Sequence, residues 1–274
     1  MMNDPQQQPF PSVALRTDVA HPARVYDVYL GGKDNFPADR EAAQKVSETF
    51  PTISTTARAN RDFLLRAVKQ LAGSGVRQFL DIGTGIPTSP AIHEVAQGID
   101  PHARVVYVDN DPMVLVHARA LLTSTTALGR TAYVDADLRH PETILNDPQL
   151  WEVLDPALPV ALILGAILHF LPDDLQPQAI VKQLLAALPR QSYLVLSHVT
   201  ADFDSQWNEI ERLYNAEFDI PLQVRSADEV AHFFTGLELL PPGLTVVSQW
   251  QPEGLGRLPS DASVSCVGGV GRMP

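Results

Sequence analysis

Cysteine is almost absent from this sequence of 274 residues, which contains a single one, Cys266. One cysteine cannot form a disulfide within the chain or a cysteine-based metal cluster, and we expect no metal site. No apolar run approaches the roughly 18 residues that a membrane span requires. The first eight residues also lack the basic and apolar segments of a secretory signal, so the sequence predicts a cytoplasmic protein.

Basic residues are scarce as well. The chain has 20 Lys and Arg against 32 Asp and Glu, a formal charge of −12, and no long run of Lys or Arg. An acidic surface repels phosphate backbones and anionic membranes, so we expect neither nucleic acid nor a membrane as a partner. With 45% hydrophobic and 19% charged residues, the chain has enough apolar material for a folded core.

The first 75 residues are predicted to be helical. Residues 1–19 are rich in Pro and Gln and show no hydrophobic period, which predicts a poorly ordered tail. Helices are predicted over residues 22–30, 38–48 and 54–72, the last from apolar residues that recur every three or four positions. We therefore expect an N-terminal helical extension over residues 20–75, ahead of the main domain at residues 76–274.

Predicted strands and helices alternate from residue 77 onward. The strands cover residues 78–82, 104–108, 131–134, 160–164, 193–197, 244–250 and 263–268. The helices between the first five strands cover residues 89–97, 112–122, 141–146 and 176–188. This alternation is typical of βαβ units, whereas the last two strands, joined without a helix, should pair antiparallel. The sequence therefore predicts an α/β fold with a seven-stranded, mostly parallel sheet.

A glycine-rich turn follows the first predicted strand. Asp81 lies near the end of that strand, and Gly83, Thr84 and Gly85 come directly after it. Glycines let the chain turn tightly and let a ligand approach the backbone, and open α/β sheets bind their ligands at this edge. The turn is therefore the first candidate for a ligand site.

Acidic residues follow the next two predicted strands, at Asp109 and Asp137. An acid about 20 residues beyond a glycine-rich turn can accept hydrogen bonds from both hydroxyls of a ribose. An acid past the third strand can accept one from the adenine amine. Together with the turn, these residues predict an adenosine pocket.

Two ligands that contain adenosine compete for this pocket, a nicotinamide dinucleotide and S-adenosylmethionine. The dinucleotide fingerprint needs a third glycine where this sequence has Thr88. Asp81 would also repel a pyrophosphate, whereas it would attract the ammonium and sulfonium of S-adenosylmethionine. The sequence therefore favours S-adenosylmethionine over a nicotinamide cofactor.

Several segments together resemble class I S-adenosylmethionine-dependent methyltransferases, whose fold is Rossmann-like. They resemble more closely an actinobacterial family of such proteins whose substrates are largely unassigned. The resemblance covers the chain from Pro22 to about Gly269. Its segments are Ala23-Arg24-Val25-Tyr26-Asp27, Leu30-Gly31-Gly32-Lys33-Asp34-Asn35-Phe36, Ala59-Asn60-Arg61, Phe79-Leu80-Asp81-Ile82-Gly83-Thr84-Gly85, Val106-Tyr107-Val108-Asp109-Asn110-Asp111-Pro112 and Ala136-Asp137-Leu138-Arg139.

The resemblance implies roles for the residues of the adenosine pocket. The glycine turn would hold the methionine part of S-adenosylmethionine, Asp109 the ribose, and Asp137 with Leu138 the adenine. Asn110, beside Asp109, belongs to the same candidate cofactor site. Pro87 departs from the superfamily pattern, which often has a third glycine there, and it removes one N–H donor from the turn.

The resemblance also implies that the N-terminal segment covers the cofactor as a lid, with Lys33 and Asn35 among the cofactor-binding residues. A surface loop after a helix end is the alternative for that segment. Arg58 and Arg61 lie one turn apart on the third predicted helix, and one of them could bind the cofactor's carboxylate, which matches the guanidinium fork. Arg61 is the site candidate, and a solvated helix face is the alternative.

The segment after the fourth predicted strand contains Ala166, a further candidate for cofactor binding, and His169. The resemblance implies that the acceptor binds beside this segment. His169 is the candidate general base, because an imidazole titrates near neutrality, and a histidine that only lines the pocket is the alternative. His198 is a weaker case of the same kind. We expect the Asp173-Asp174 pair to cap a helix.

The predicted function is transfer of a methyl group from S-adenosylmethionine to an acceptor that we expect to be a small molecule. The alternative is a protein that binds S-adenosylmethionine without catalysis, as a sensor or partner protein, because fold alone does not decide function. A nicotinamide-dependent oxidoreductase is a third, disfavoured possibility.

Overall fold

An eight-stranded sheet forms the centre of the computed structural model, which describes residues 16–121, 123–254 and 256–274. The strands are β1 Gln78–Ile82, β2 Arg104–Asp109, β3 Arg130–Asp135, β4 Ala161–Gly165, β5 Tyr193–Val199, β6 Glu238–Leu239, β7 Thr245–Val246 and β8 Cys266–Arg272. Their order is β3-β2-β1-β4-β5-β8-β6, and β7 also pairs with β8. The order reverses between β1 and β4, and open α/β sheets bind ligands at such a point.

Helices connect the strands and flank the sheet. They are α1 Pro22–Leu30, α2 Pro37–Thr49, α3 Ile53–Gly73, α4 Ile92–Ile99, α5 Pro112–Leu121, α6 Pro141–Leu145, α7 Pro148–Val153, α8 Pro177–Ala187, α9 Gln206–Glu217, α10 Ala227–Ala231 and α11 Asp261–Val264. Six of them start at a proline, whose fixed φ and missing N–H suit the first turn of a helix. None of the helices within the described residues is long and apolar enough to cross a membrane.

Two of the buried hydrophobic clusters lie on opposite faces of the sheet. Successive residues of β4 alternate between them: Ile163 belongs to one cluster, and Leu162 and Leu164 belong to the other. This alternation follows from the two-residue period of a strand. Because the long helix α3 contributes Phe63 and Val68 to the first cluster, it packs directly on the sheet.

The N-terminal extension is joined to the start of α5 by buried charges. Arg24 on α1 contacts Asp111 at 3.2 Å and Asp39 at 3.6 Å, and all three side chains are buried. Asp111 also accepts a hydrogen bond from the Met113 N–H at 2.8 Å, which confirms its predicted role as the N-cap before Pro112. Removing one partner of a buried ion pair typically costs about 3–5 kcal/mol, so these contacts hold α1 against the sheet.

The predicted architecture is confirmed in its main part. β1 to β5 run parallel, and β8 pairs antiparallel with β5 and β7. The count of seven strands is wrong, because the segment before β8 contributes two strands of two residues each. The expected tail, residues 1–19, lies outside the described residues as far as residue 15.

The last predicted strands differ most from the structure. Residues 244–250 were predicted as one strand, but only Thr245–Val246 pair, and a 3₁₀ turn follows at Val247–Gln249. The final strand runs from Cys266 to Arg272 rather than over residues 263–268. A Cβ on Gly268 would lie 2.9 Å from a ring carbon of Phe63, so glycine serves close packing there and does not end the strand.

Candidate active site

A cavity of about 300 Å³ opens at the carboxyl ends of the parallel strands. Its walls come from the ends of β1, β2, β4 and β5, from the segment after β3, and from α1, α3 and α9. It brings together most of the predicted site residues, namely Arg61, Asp81, Gly83, Thr84, Gly85, Asp109, Asn110, Asp137, Leu138, Ala166 and His169. Lys33 and Asn35 are not among the lining residues.

The turn after β1 forms one wall of the cavity. Gly83 and Gly85 have φ of +74° and +67°, in the left-handed region that favours glycine. The Thr84 hydroxyl donates a hydrogen bond to the Asp81 carboxylate at 2.9 Å. A Cβ on Gly83 would lie 2.7 Å from Cγ1 of Ile167, so the turn closely approaches the segment after β4.

The Gly83→Ala variant should be destabilised by about 1–3 kcal/mol, because its φ is strained for alanine and the new methyl group meets Ile167. Gly98→Ala is the matched control, since Gly98 lies in α4 with open space around its Cβ position and should gain up to about 1 kcal/mol. Urea denaturation measures both changes. A Gly83→Ala protein as stable as the wild type would contradict the described turn.

The Asp109 carboxylate ties the end of β2 to the glycine turn. One oxygen accepts a hydrogen bond from the Gly85 N–H at 2.8 Å, and the other accepts one from the Asp111 N–H at 2.9 Å. Burial raises the pKa of Asp109, although these two hydrogen bonds act to lower it. Each oxygen keeps a further lone pair, so the carboxylate can accept two more hydrogen bonds, as the two hydroxyls of a ribose would offer.

Asp137 stands at the far side of the cavity, beyond β3. The Arg139 guanidinium donates to its carboxylate at 2.9 Å, and the Asn110 amide donates at 3.1 Å. Burial acts to raise the pKa of Asp137, but the hydrogen bonds from Arg139 and Asn110 outweigh it and lower the pKa. The Asp137 carboxylate is therefore ionised, and it is paired with Arg139 beside Leu138.

The Asp81 carboxylate faces the same cavity from β1. Burial raises its pKa to about 6, although the Thr84 hydroxyl bond and the charge of Arg61 act in the opposite direction. At neutral pH the carboxylate is mostly ionised yet largely removed from water. A cationic group in the cavity would therefore be strongly favoured beside it.

Arg61 on α3 has an incompletely bonded guanidinium. Nη2 donates to the carbonyl of Thr88 at 2.7 Å and also to the carbonyl of Pro90. Nε is buried and has no hydrogen-bond partner. Because buried polar groups are normally hydrogen-bonded, an anionic ligand group near Arg61 would complete its bonding.

The turn after α1 forms hydrogen bonds with Asp27 and does not point into the cavity. The Asn35 amide donates to the buried Asp27 carboxylate at 2.8 Å, and the Asp34 N–H donates to it at 3.0 Å. Lys33 is exposed. The structure therefore does not bring Lys33 and Asn35 together with the other candidate residues, because Asp27 takes the Asn35 side chain.

A hydrogen-bonded chain supports the segment after β4. Ala166 has an unusual left-handed φ of +53°, and its N–H donates to the Ser197 hydroxyl at 3.0 Å. That hydroxyl donates to the Asn60 amide oxygen, and the Asn60 amide nitrogen donates to the Tyr26 hydroxyl at 3.0 Å. The Tyr26 hydroxyl then donates to the Ala57 carbonyl at 2.9 Å, and burial raises the pKa of Tyr26 to about 12. The chain thus fixes a strained residue at the cavity wall.

His169 is buried and lines the cavity, and its Nδ1 has no hydrogen-bond partner. Burial, together with His198 and the charge of Arg225, lowers the pKa of His169 well below its ordinary value. The imidazole is therefore neutral at neutral pH. It can accept a hydrogen bond or a proton, but a lowered pKa makes it a weak base.

His198 is fully engaged in structural bonds. Its Nδ1 lies 2.7 Å from the Val199 carbonyl oxygen, which can only accept, and its Nε2 lies 3.0 Å from Nη1 of Arg225, which can only donate. Burial lowers the pKa of His198 to about 3. His198 does not line the cavity, so the structure removes it as a candidate base.

Arg225 also anchors the segment after β4. It donates to the carbonyls of Leu168 and Leu171 at 3.0 and 2.8 Å and to the Asp173 carboxylate at 2.7 Å. The prediction that the Asp173-Asp174 pair caps a helix is wrong, since both residues lie in a 3₁₀ turn and α8 begins only at Pro177. The hydrogen bond from Arg225 lowers the pKa of Asp173.

Comparison with known proteins decides the family. The family described as S-adenosyl methyltransferase matches residues 9–274. The chain belongs to this family. This methyltransferase is similar to a DUF574 family protein from Streptomyces avermitilis, with 46% identity over 95% of this chain and 100% of that chain and a TM-score of 0.90. A protein from Thermobifida fusca, described only as a candidate methyltransferase, is 37% identical over 96% of this chain and 98% of that chain, with a TM-score of 0.88.

A more distant likeness concerns the fold alone. An O-methyltransferase family protein from Burkholderia thailandensis is 12% identical over 84% of this chain and 62% of that chain, with a TM-score of 0.52. No curated protein matches the sequence. The methyltransferase is therefore an enzyme with a Rossmann-like fold that uses S-adenosylmethionine as methyl donor, and the comparisons do not name its acceptor.

The cavity of the methyltransferase fits this cofactor chemically. The buried Asp81 carboxylate suits a cationic sulfonium and ammonium, and the unpaired Nε of Arg61 suits a carboxylate. Among the described residues, no group of three or more His, Cys, Asp or Glu is placed to hold a metal ion.

One wall of the cavity comes from residues that were not among the predicted site residues. Trp207, Ile210 and Tyr214 line it from α9, a helix that was not predicted. These residues recur at spacings of three and four, which is the signal of an amphipathic helix. The hydrogen bonds that link Tyr26 and Asn60 through Ser197 to Ala166 have no comparable sequence pattern, because these residues are distant in sequence.

Proposed function

We propose that this methyltransferase transfers the methyl group to a small molecule held in the same cavity as the cofactor. The observation that carries this proposal is the extent of the cavity. It runs from the acids at β1, β2 and β3 to a region beside β4 and β5, closed by α1, α3 and α9. Its far walls include the buried side chains of His169 and Trp207, which a folded macromolecule could not reach.

The cofactor half of the cavity is assigned by the order of the strands. Asp137 and Leu138, beyond β3, contact the adenine, and Asp109 on β2 accepts hydrogen bonds from the ribose hydroxyls. Asp81 on β1 faces the cationic centre, and Arg61 binds the carboxylate. This assignment is supported by the free lone pairs of Asp109 and by the unpaired Nε of Arg61.

The chemistry needs alignment more than activation. S-adenosylmethionine supplies a methyl group on a sulfonium, and in the transfer the acceptor atom bonds to the methyl carbon as the carbon–sulfur bond breaks with its electron pair on sulfur. The protein holds the reactants in line and excludes water. Ala166 shapes the wall between the two halves, and Nδ1 of His169 is free to take the proton that the acceptor loses.

We also propose that residues 20–75 act as a lid over the cofactor-binding domain at residues 76–274. Pro22 and Ala23 of α1 line the cavity. The buried contact of Arg24 with Asp111 holds α1 near the end of β2, because Asp111 lies only two residues after Asp109. Opening would separate these charges, so closure around the ligands and formation of this ion pair would be coupled.

Turnover tests the proposed function. The full chain is incubated with S-adenosylmethionine and a panel of small molecules, and S-adenosylhomocysteine is measured by mass spectrometry. We expect turnover with at least one small molecule and none with polypeptide or RNA acceptors. Saturable binding of S-adenosylmethionine without turnover on any acceptor would instead favour a sensor or partner protein.

A further inference from the structure

The part of the cavity beside β4 and β5 is largely aromatic. We call it the acceptor chamber and define it by Tyr29, Thr56, His169, Phe170, Trp207 and Tyr214. Phe170 packs against His169 with ring centroids 4.4 Å apart and against Tyr214 at 6.1 Å. Such walls suit a flat ring, because aromatic pairs stack or meet edge to face at these separations.

Three polar atoms of the acceptor chamber are buried without a hydrogen-bond partner. They are Oγ1 of Thr56, Nδ1 of His169 and Nε1 of Trp207, on side chains that are 4%, 6% and 3% exposed. Buried polar atoms are rarely left unpaired in folded proteins. Because all three belong to residues that line one cavity, a ligand bound there could complete their bonding after small side-chain rotations.

The chemistry of these atoms limits the ligand group. The Trp207 N–H can only donate, whereas the Thr56 hydroxyl and a neutral imidazole can accept. A hydroxyl group matches this set, because it accepts one hydrogen bond and donates another. The chamber therefore offers a hydroxyl group both a donor, Trp207, and an acceptor, Thr56 or His169.

Charge limits the ligand further. None of the six chamber residues carries a formal charge when His169 is neutral. Asp27, which also lines the cavity, spends its carboxylate on Asp34 and Asn35, and Asp219 lies exposed at the rim. The Arg225 guanidinium, whose charge acts on His169, is already paired with Asp173. A carboxylate or an ammonium in the chamber would therefore lose its hydration without a free counter-charge.

We propose that the methyl acceptor is an uncharged aromatic molecule with a hydroxyl group, and that Trp207 selects it by donating a hydrogen bond from Nε1 to that hydroxyl. This inference rests on the proposed function, since it assigns the acceptor of the same site. Methyl transfer then forms the bond between the hydroxyl oxygen and the methyl carbon, the carbon–sulfur pair stays on sulfur, and the hydroxyl proton passes to Nδ1 of His169.

The test is titration calorimetry of the full chain saturated with S-adenosylhomocysteine. The probes are 2-naphthol, an uncharged ring with a hydroxyl, and 2-naphthoate, the same ring with a carboxylate. We expect 2-naphthol to bind at one site and 2-naphthoate to bind at least about tenfold more weakly. The Trp207→Phe variant keeps an aromatic ring but loses the N–H, and it should bind 2-naphthol about fivefold more weakly.

Trp250→Phe is the matched control. Its Nε1 is also buried and unpaired, but Trp250 packs against Phe63 away from the cavity, so this variant should bind 2-naphthol like the wild type. Thr56→Val removes a second unpaired group at nearly constant volume and should weaken 2-naphthol similarly to Trp207→Phe. If Trp207→Phe does not fold, the affinity of Thr56→Val for 2-naphthol still tests the inference.

Several results would overturn the inference. They are equal binding of the two probes, no saturable binding of 2-naphthol to a chain that binds S-adenosylhomocysteine, or 2-naphthol binding that the chamber variants leave unchanged. Failure of the wild-type chain to bind S-adenosylhomocysteine would instead reject the proposed function itself, and the inference with it.

Discussion

Replacing Asp109 by Ala should weaken the binding of S-adenosylmethionine at least ~100-fold. The carboxylate has lone pairs left for two hydrogen bonds after those from Gly85 and Asp111. Hydrogen bonds to a charged group contribute about 1.5–3 kcal/mol each, so the loss of two corresponds to this factor or more. Titration calorimetry with S-adenosylmethionine gives the dissociation constant directly.

Two further variants separate ligand binding from structure. Asp135→Ala is the matched control, because Asp135 is the register partner of Asp109 on the neighbouring strand β3 but is exposed and outside the cavity. It should bind S-adenosylmethionine like the wild type. Asp109→Asn keeps the size of the side chain and should lose affinity while retaining the fold. Unchanged affinity in Asp109→Ala would remove the ribose assignment.

Replacing Asp81 by Asn should have opposite effects on stability and on affinity. Burial raises the pKa of Asp81 to about 6. The folded protein therefore prefers the protonated form of Asp81. The stability that this form gives is fully present below the unfolded pKa of about 4 and is lost as the pH rises through the folded pKa of about 6. At neutral pH the ionised carboxylate destabilises the ligand-free protein, by about 3 kcal/mol for a shift of this size. An asparagine at position 81 avoids that cost, and its amide oxygen can still accept the hydrogen bond from the Thr84 hydroxyl.

We therefore expect Asp81→Asn to raise the melting temperature by about 6 °C at pH 7.5, with the gain vanishing near pH 4. The same variant should bind S-adenosylmethionine at least about tenfold more weakly, because the partner of its cationic groups is gone. Wild-type affinity should also fall as pH drops below about 6, where Asp81 becomes protonated.

Asp135→Asn serves as the control for this experiment as well, since it removes an exposed carboxylate at the same edge of the sheet and should change neither quantity. Below about pH 6, binding of S-adenosylmethionine should release about one proton from Asp81 in the wild type, and Asp81→Asn should lack this release. Asp109 is then the remaining buried carboxylate near the ligand. A variant that is less stable and binds normally would contradict the placement of Asp81 beside the cation.

The part of the cavity at the ends of β1, β2 and β3 was predictable from sequence because local signals set it. Strand and helix alternation places strand ends at one edge of the sheet, and residues directly after a strand must then meet there. Asp81, Asp109 and Asp137 follow this rule, and the cavity contains all three. The left-handed φ of Gly83 and Gly85 is likewise a local property that glycine indicates.

The other half depends on contacts between distant segments, which local patterns do not specify. Asn35 was predicted at the cofactor, but the buried Asp27 carboxylate eight residues earlier accepts its amide hydrogen bond. His198 follows a strand end as His169 does, yet Arg225 from a later loop occupies its Nε2. The strand predicted at residues 244–250 is short because β8 binds only Thr245 and Val246 of it.

The most direct test of the central claim is a crystal structure of the full chain with bound S-adenosylhomocysteine. We expect the adenine beside Leu138 and Asp137, both ribose hydroxyls on Asp109, the carboxylate on Arg61, and an open acceptor chamber beyond the sulfur. A cofactor bound with its adenosine in the acceptor chamber, or outside this cavity, would contradict it.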